Sequence, residues 1–177
     1  MSGTHREKLL FPSAIDQNDF FRFALFDTFR VKKRWKPPVL FACLMSAFAL
    51  ICFTFLRSRS QASLLGGVLL GVGLILPAVW LLLYLSSVRK EAKELGLSKE
   101  KTAYEIALSD RGVRVTRGAE TADYTWEKMF MAWRVKGGIY LYVLPARAFL
   151  MPEREESEAA WAIILRALPE VKRKDLR

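Results

Sequence analysis

The sequence predicts a membrane α+β protein, in which a two-helix transmembrane hairpin precedes a small cytoplasmic antiparallel β-barrel or sheet capped by a C-terminal helix. Two long runs without a charged residue lie in the first half of the chain, and basic residues crowd around them. In the second half the apolar residues alternate with the period of strands. We expect four segments: an amphipathic and basic cytoplasmic segment (1–37), the hairpin (38–85), a juxtamembrane helix extension (86–97) and a cytoplasmic β-domain with its helix (98–177).

The charge of the chain bounds its partners. The net charge is +10, from 28 Lys and Arg against 18 Asp and Glu. A basic balance of this kind fits nucleic acid, an anionic membrane surface or the cytoplasmic loops of a membrane protein. Because the charges cluster around the apolar runs, we favour the third class. We expect no nucleic-acid partner, since the chain has no recognition helix and no signature motif for one.

The segment before the first apolar run is rich in phenylalanine. Asp16 is predicted to cap a helix, with Asp19 in its first turn. The apolar residues that follow cover too broad an arc for a clean amphipathic stripe. Two interpretations stay open: the helix lies among the lipid headgroups, or its phenylalanine face packs on the cytoplasmic domain. Pro37 and Pro38 are expected to break the helix before the bilayer.

Two transmembrane helices are predicted over 39–56 and 64–85. Their lengths of about 27 Å and about 33 Å match the hydrocarbon thickness of a bilayer. Core helices of soluble proteins rarely stay uncharged on every face for this long. The short connection over 57–63 predicts an antiparallel hairpin. Neither span carries an ionisable residue, so the two helices alone are not expected to line a polar route.

The basic residues predict the direction of the hairpin. Its connecting loop offers only Arg57 and Arg59, whereas both outer flanks are rich in Lys and Arg. The positive-inside rule therefore places both termini in the cytoplasm of a multi-pass protein of the inner or plasma membrane. The residues expected to contact membrane lipid at the surface are Arg30, Lys32, Lys33, Arg34, Lys36, Arg89 and Lys90.

The second span contains a GxxxG motif at Gly67 and Gly71. Small residues at this spacing let two helix backbones approach closely. One interpretation is a homodimer formed through this face. The other is packing within the hairpin, against the small residues Ala42, Ser46 and Ala49 of the first span. Pro77 is expected to kink the second span.

Beyond Gly96, the expected stop of the helix extension, alternating residues predict about five to seven short strands. Gly137 and Gly138 lie between two such runs and predict a hairpin. Met129, Met131, Trp133 and Val135 are expected to share one face, which Ile139, Leu141 and Val143 continue. A final helix over 153–168 carries a core stripe of Trp161, Ile164, Leu165 and Leu168. A basic tail follows, and the whole outline is that of a pleckstrin-homology-like (PH-like) barrel.

The second half of the chain also carries a resemblance. The stretch YEIALSDRGVRVTRG has a turn glycine at Gly112, and YTWEKMFMAWRVKGGIYLYVLPARAFLMPER has a Trp-containing strand, an apolar hairpin and a Pro-containing exit. With the DFFRF segment and the two apolar runs, the chain resembles the YcxB-like family of bacterial membrane proteins over most of its length. The resemblance implies the bacterial inner membrane and a YcxB-like carboxy-terminal domain. It implies no activity, substrate or catalytic residue.

The residue types needed for catalysis are scarce. The one histidine, His5, lies in the polar N-terminal tail, and both cysteines, Cys43 and Cys52, lie inside the first apolar run. No phosphate-binding loop of the GxxxxGK[ST] kind is present, and no Ser-His-Asp set can form. We therefore expect no enzyme, no cofactor and no metal site.

The remaining expectation is a non-enzymatic module, anchored at the membrane, that binds a protein or lipid-headgroup partner. The alternative is an accessory subunit of a transporter or other membrane complex. A headgroup site needs several cations to converge at one loop end; otherwise they decorate an ordinary solvated face. The candidate cations are Arg111, Arg114, Arg117, Arg134, Lys136 and Arg147.

Overall fold

The structure is a computed structural model that describes residues 9–97 and 101–177. The start of the N-terminal tail, with His5, and the first residues of the predicted β-domain, 98–100, lie outside the described residues. The chain forms two compact units. The helical unit is Ala24–Leu95, and the β-unit is built from the chain on both sides of it.

Two long apolar helices dominate the helical unit, as predicted. Helix α2 (Lys36–Phe55) and helix α3 (Arg59–Glu94) have mean hydropathies of 2.2 and 2.5, and both are long and apolar enough to cross a membrane. Only 6% of the apolar window of each helix is buried inside the structure. Most of the apolar surface of both helices is therefore exposed in the structure.

The ends of these helices differ from the prediction. The connection is shorter than 57–63, because α3 already begins at Arg59 and then continues through Pro77 and the predicted extension to Glu94. Pro37 and Pro38 lie in the first turn of α2 rather than before it. This placement costs no hydrogen bond, since the first amides of a helix have no intrahelical partner. Lys33, with φ +52°, precedes α2 instead.

A polar contact fixes the beginning of the helical unit to α3. The Tyr84 hydroxyl donates to the carbonyl of Ala24 at 2.7 Å and lies 2.7 Å from the Thr28 hydroxyl. Thr28 belongs to a single π-helical turn, Asp27–Val31, in which Asp27 and Thr28 are buried. Tyr84 therefore satisfies polar groups next to a stretch of otherwise apolar helix, where an unpaired carbonyl would be costly.

Within its described residues, the β-unit contains eight strands in two sheets. Sheet 1 has the order β1-β2-β3-β4 and is antiparallel throughout, whereas sheet 2 has the order β7-β6-β5-β8, with β8 parallel to β5. The strands are β1 (Leu9–Ile15), β2 (Lys101–Ser109), β3 (Gly112–Arg117), β4 (Glu120–Thr125), β5 (Met131–Val135), β6 (Gly138–Leu144), β7 (Arg147–Pro152) and β8 (Arg173–Asp175).

Strand β1 corrects the predicted boundary of the β-domain. It pairs with β2 from Leu9 opposite Leu108 to Ile15 opposite Lys101. The predicted segments 1–37 and 98–177 therefore share one sheet, and the helical unit is an insertion between two adjacent strands. The sequence pattern did not predict this strand, because the strand is short and contains Pro12, which only an edge strand accepts readily.

The hydrophobic core lies between the sheets and helix α4 (Ser157–Ala167). Trp161, Ile164 and Leu168 are buried as predicted, but Leu165 is 40% exposed and Ala160 takes its place. The helix begins at Ser157 rather than 153. The Ser157 hydroxyl accepts a hydrogen bond from the Arg154 amide at 2.8 Å, in the turn before the helix.

The predicted face of β5 was also wrong. Met129 and Ala132 are fully buried in the core, so the alternation restarts between them. A 3-10 turn, Trp126–Lys128, precedes Met129 and ends the regular alternation of β4. Met131, Trp133 and Val135 consequently lie on the opposite face of sheet 2 from Ile139 and Leu141. This shift follows from the pairing of Ala132 with Leu141.

That opposite face meets helix α1 (Gln17–Phe26). The ring of Phe23 packs edge-on against Tyr140, with the ring centroids 5.1 Å apart, and its centroid lies 6.2 Å from that of Tyr142. Phe23 thus packs on the β-unit, which is one of the two interpretations left open by the sequence. The predicted cap is present: the Asp19 amide donates to the Asp16 carboxylate at 2.7 Å.

The basic C-terminal tail is not a loose tail. It forms strand β8 along the edge of β5. The Lys172 ammonium donates to the carbonyls of Glu127 and Met129 at 3.0 and 2.9 Å, and Lys174 lies 4.9 Å from the Trp133 ring. Lysines and main-chain carbonyls therefore hold this segment in place.

Candidate functional site

The fold brings together only some of the predicted cations. Arg117 and Arg147 line one cleft of about 560 Å³, which we name the Arg117–Arg147 cleft. Arg111 and Arg114 line a separate cleft of about 510 Å³. Arg134 lies on β5, and Lys136 lies in the turn that follows it. The six residues therefore do not form a single patch.

Two tight turns position the arginines of the Arg117–Arg147 cleft. Arg117 ends β3 and pairs with Glu120, the first residue of β4, across a turn in which Gly118 has φ +60°. Arg147 begins β7 and pairs with Leu144 across the turn between β6 and β7. The cleft thus lies between the β3–β4 turn of sheet 1 and the start of an edge strand of sheet 2.

Aromatic rings form one wall of the cleft. The ring centroid of Phe149 lies 5.4 Å from that of Tyr104 and 5.6 Å from that of Tyr124. The guanidinium of Arg147 lies over the Phe149 ring at 5.7 Å, a cation–π arrangement. This contact orders the Arg147 side chain beside the ring, and its guanidinium N–H groups can still donate to a ligand.

Tyr104 is fixed by the main chain of β7. Its hydroxyl accepts a hydrogen bond from the Leu150 amide at 2.6 Å and donates to the Leu150 carbonyl at 3.2 Å. The Ser13 hydroxyl donates to the same carbonyl at 2.5 Å. Burial raises the pKa of Tyr104 to about 12. The hydroxyl is therefore neutral at physiological pH and adds no negative charge to the cleft.

The arginines differ in whether they already have a carboxylate partner. Arg114 makes two hydrogen bonds to Asp123, at 2.6 and 3.0 Å. Arg134 pairs with Glu158 and lies 3.6 Å from Asp175. Within the part of the chain that the structure describes, neither Arg117 nor Arg147 forms an ion pair. Arg111 likewise forms no ion pair among these residues, but it shares its cleft with the paired Arg114 and Asp123, whereas Arg117 and Arg147 share one cleft.

The sequence did not identify the aromatic wall as part of a site. Alternation shows which residues share a face of a strand and not which strands meet, so it did not single out Tyr104, Tyr124 and Phe149. The wall forms where β2, β4 and β7 come together. Their approach depends on the packing of two sheets, which no local pattern encodes.

The basic residues predicted to contact the membrane surface flank the two long helices. Arg30, Lys33, Arg34, Lys36, Arg89 and Lys90 are exposed. Lys32 pairs with Asp27 at 2.5 Å, and Lys90 lies 3.8 Å from Glu94. Contact of these residues with a membrane surface stays a prediction.

Two glycines other than the predicted pair make the contact between α2 and α3. A Cβ on Gly66 would lie 2.5 Å from the Phe53 ring, and a Cβ on Gly73 would lie 2.6 Å from Met45. Gly67 and Gly71 have nothing within 4 Å of such an atom. Close packing within the hairpin therefore uses Gly66 and Gly73, and the face carrying Gly67 and Gly71 is left open.

Comparison with known proteins adds no relative. No protein-family model, no curated protein and no solved structure matches this chain. The resemblance to the YcxB-like family therefore stays a prediction. Among the described residues, no group of three or more His, Cys, Asp or Glu side chains could hold a metal ion. The fold and the cleft define a small two-sheet β-domain with a C-terminal helix, into which a pair of long apolar helices is inserted.

Proposed function

We propose that the chain is a non-enzymatic integral membrane protein of the inner or plasma membrane that anchors a PH-like interaction domain at the cytoplasmic face. The observation that carries the proposal is the exposure of the two apolar helices. Phe55 is 83% exposed, and Leu64 and Leu83 are each 66% exposed. Soluble monomers rarely expose apolar patches beyond a few hundred Å². A bilayer would remove this surface from water.

The insertion of the helices into sheet 1 supports a hairpin with both flanks on one side. Residues 9–15 and 101–109 are neighbours in one sheet, so they must share a compartment. A chain that leaves and returns to the same sheet crosses a membrane an even number of times. The positive-inside rule makes that shared compartment the cytoplasm.

The architecture of the β-unit supports the PH-like interpretation. In the described part of the unit, seven strands in two sheets are followed by a helix whose apolar side enters the core, and β8 adds an eighth strand at the end. The Arg117–Arg147 cleft, whose two arginines form no ion pair within the described residues and lie beside aromatic rings, is the place where a protein or lipid-headgroup partner fits best.

The open face of α3 supports the alternative function, an accessory subunit of a transporter or another membrane complex. Gly67 is exposed, and a helix from another chain could approach the backbone at Gly67 and Gly71. This alternative and the anchored module share the same topology. They differ in the partner of α3.

The topology is tested with single cysteines in a Cys43→Ala/Cys52→Ala background. Ser58→Cys reports on the connection between the helices, and Ala119→Cys reports on the β3–β4 turn. We expect an impermeant maleimide to label Ser58→Cys on intact cells and Ala119→Cys only after permeabilisation. The membrane fraction should also retain the protein after alkaline carbonate washing.

The matched pair makes the result decisive. Labelling of Ala119→Cys on intact cells with protection of Ser58→Cys would show the inverted topology, with the β-unit outside. The same labelling behaviour at both sites would show that the pair does not cross. Release of the wild-type protein by carbonate would reject integral insertion altogether.

A further inference from the structure

We propose that the Arg117–Arg147 cleft binds the phosphate of an anionic phospholipid, while Leu144 enters the acyl boundary beside it. This inference rests on the proposed function, because it needs a membrane next to the β-unit. It gives the module a second membrane contact, separate from the helices. The contact would hold the β-unit against the bilayer in one orientation.

The cleft lies towards the end of sheet 1 that carries the paired residues Ile15 and Lys101. Thr116 pairs with Glu105, so the β3–β4 turn lies about four residues, or about 13 Å, from Lys101 along β2. The β2–β3 turn, with Arg111, lies at the opposite end. The Arg117–Arg147 cleft and the cleft that Arg111 lines therefore lie at opposite ends of sheet 1.

The charges of the cleft suit a phosphate. Guanidinium groups bind phosphate oxygens through paired N–H donors, and two of them can share one phosphate. The cleft carries Arg117 and Arg147 against a single carboxylate, Glu120, so its local charge stays positive. The stacked position of Arg147 over Phe149 also reduces the side-chain entropy lost on binding.

An apolar side chain accompanies the cations. Leu144 is 58% exposed and lies directly opposite Arg147 across the β6–β7 turn. Pro145 and Ala146 at the tip of this turn are exposed as well. An exposed leucine beside an unpaired arginine has the composition of an interfacial anchor, whose apolar part enters the acyl boundary while the cation stays with the phosphates.

Tethering favours lipid over an acidic peptide as the occupant. The spans would keep anionic headgroups at a high effective concentration around the β-unit, whereas a soluble peptide must diffuse to it. Each basic residue near an anionic surface favours the docked state by about fivefold. Two such residues are enough to bias a domain that is already held at the membrane.

The test places a polarity-sensitive fluorophore at Ala146→Cys in the full-length Cys43→Ala/Cys52→Ala protein. The protein is reconstituted in nanodiscs of phosphatidylglycerol mixed with phosphatidylcholine, or of phosphatidylcholine alone. We expect a blue-shifted emission in the anionic discs and a water-like emission in the neutral discs. Arg117→Gln/Arg147→Gln should abolish the shift, and Leu144→Ser should reduce it.

The matched controls remove similar groups elsewhere on the β-unit. Lys128→Gln/Arg166→Gln removes two exposed cations, and Val171→Ser replaces an apolar residue that is 83% exposed. Both should keep the wild-type shift. Thermal unfolding of each variant shows whether the β-unit remains folded. Arg117→Lys/Arg147→Lys, which keeps both charges, should recover part of the shift.

Three outcomes would overturn the inference. The emission could be the same in both kinds of disc, the shift could survive Arg117→Gln/Arg147→Gln, or the controls could abolish it equally. If the emission stays water-like while carbonate leaves the protein in the membrane, the lipid contact fails and the anchoring stands. If carbonate releases the protein, the proposed function fails first.

Discussion

At the scale of single residues, Tyr104 has two structural roles in the β-unit. Its ring belongs to the wall of the Arg117–Arg147 cleft, and its hydroxyl bonds both the amide and the carbonyl of Leu150. These contacts tie β2 of sheet 1 to β7 of sheet 2. The same side chain therefore joins the two sheets and shapes the cleft.

Replacing Tyr104 with Phe should destabilise the β-unit by about 1–3 kcal/mol, because the Leu150 amide would lose its acceptor while remaining buried. The ring contact with Phe149 would be kept. Tyr124→Phe is the matched control, since Tyr124 also packs on Phe149 but its hydroxyl makes no hydrogen bond to any residue that the structure describes. Thermal unfolding of the full-length protein in detergent measures both. Equal midpoints for the two variants would contradict the role assigned to the Tyr104 hydroxyl.

The pKa of Tyr104 also predicts how the stability of the folded protein changes at alkaline pH. Its pKa is about 12 in the folded protein against 10.0 for an ordinary tyrosine, because the site is buried. The folded state thus holds this proton more tightly, and the associated stability is complete below pH 10 and is lost as the pH rises towards 12. We expect Tyr104→Phe to flatten the fall in melting temperature over this range. An unchanged slope would show that Tyr104 does not carry it.

At the scale of elements, the contact between α2 and α3 shows how neighbouring glycines divide their roles. Gly66 and Gly73 are seven residues apart, two helical turns, and they meet Phe53 and Met45 of α2. Gly67 and Gly71 are turned away from that contact. The visible GxxxG motif is thus not the one that packs the hairpin.

Gly73→Leu and Gly67→Leu form a matched pair on one helix. Gly73→Leu should lower the melting temperature of the full-length protein, because overpacking of a close contact costs about 1–3 kcal/mol. Gly67→Leu should leave it unchanged. Crosslinking in membranes should show the reverse pattern if a second helix uses the open face: Gly67→Leu would then lose the crosslinked partner. A destabilised Gly67→Leu would contradict the packing described for α2 and α3.

At the scale of the whole molecule, the helices interrupt the β-unit rather than precede it. Strand β1 precedes both helices in the chain, and the remaining strands follow them. Sheet 1 is complete only when β2, which begins at Lys101, pairs with β1, which ends at Ile15. Residues 98–177 alone therefore lack an edge strand and would expose the side of β2 that β1 covers.

A shortened chain tests this organisation. Residues 9–23 joined to residues 101–177 by about ten Gly and Ser residues should give a soluble, folded β-unit, because the linker only needs to return from α1 to β2. Residues 101–177 alone should be unfolded or aggregated, since the buried Phe11 and Ser13 are missing. Circular dichroism and gel filtration compare the two. A folded 101–177 fragment would show that β1 is dispensable.

Part of the site was within reach of the sequence. Arg117 and Arg147 could be named as candidates because each stands at a turn between alternating runs. Nothing local distinguished them from Arg114 and Arg134, whose carboxylate partners Asp123 and Glu158 come from other elements. Which arginines keep their charge available depends on contacts across the fold.

The sequence by itself determined the two apolar helices, the Gly-Gly hairpin between β5 and β6 and most of the apolar stripe of α4. Each of these follows from the period or the unbroken length of apolar residues, which is a property of neighbours in the chain. Only the tertiary structure decided that β1 completes sheet 1, that β8 covers the edge of β5 and that two arginines share a cleft. These features depend on pairing between segments far apart in the chain, where short polar strands gain their stability from partners rather than from their own pattern.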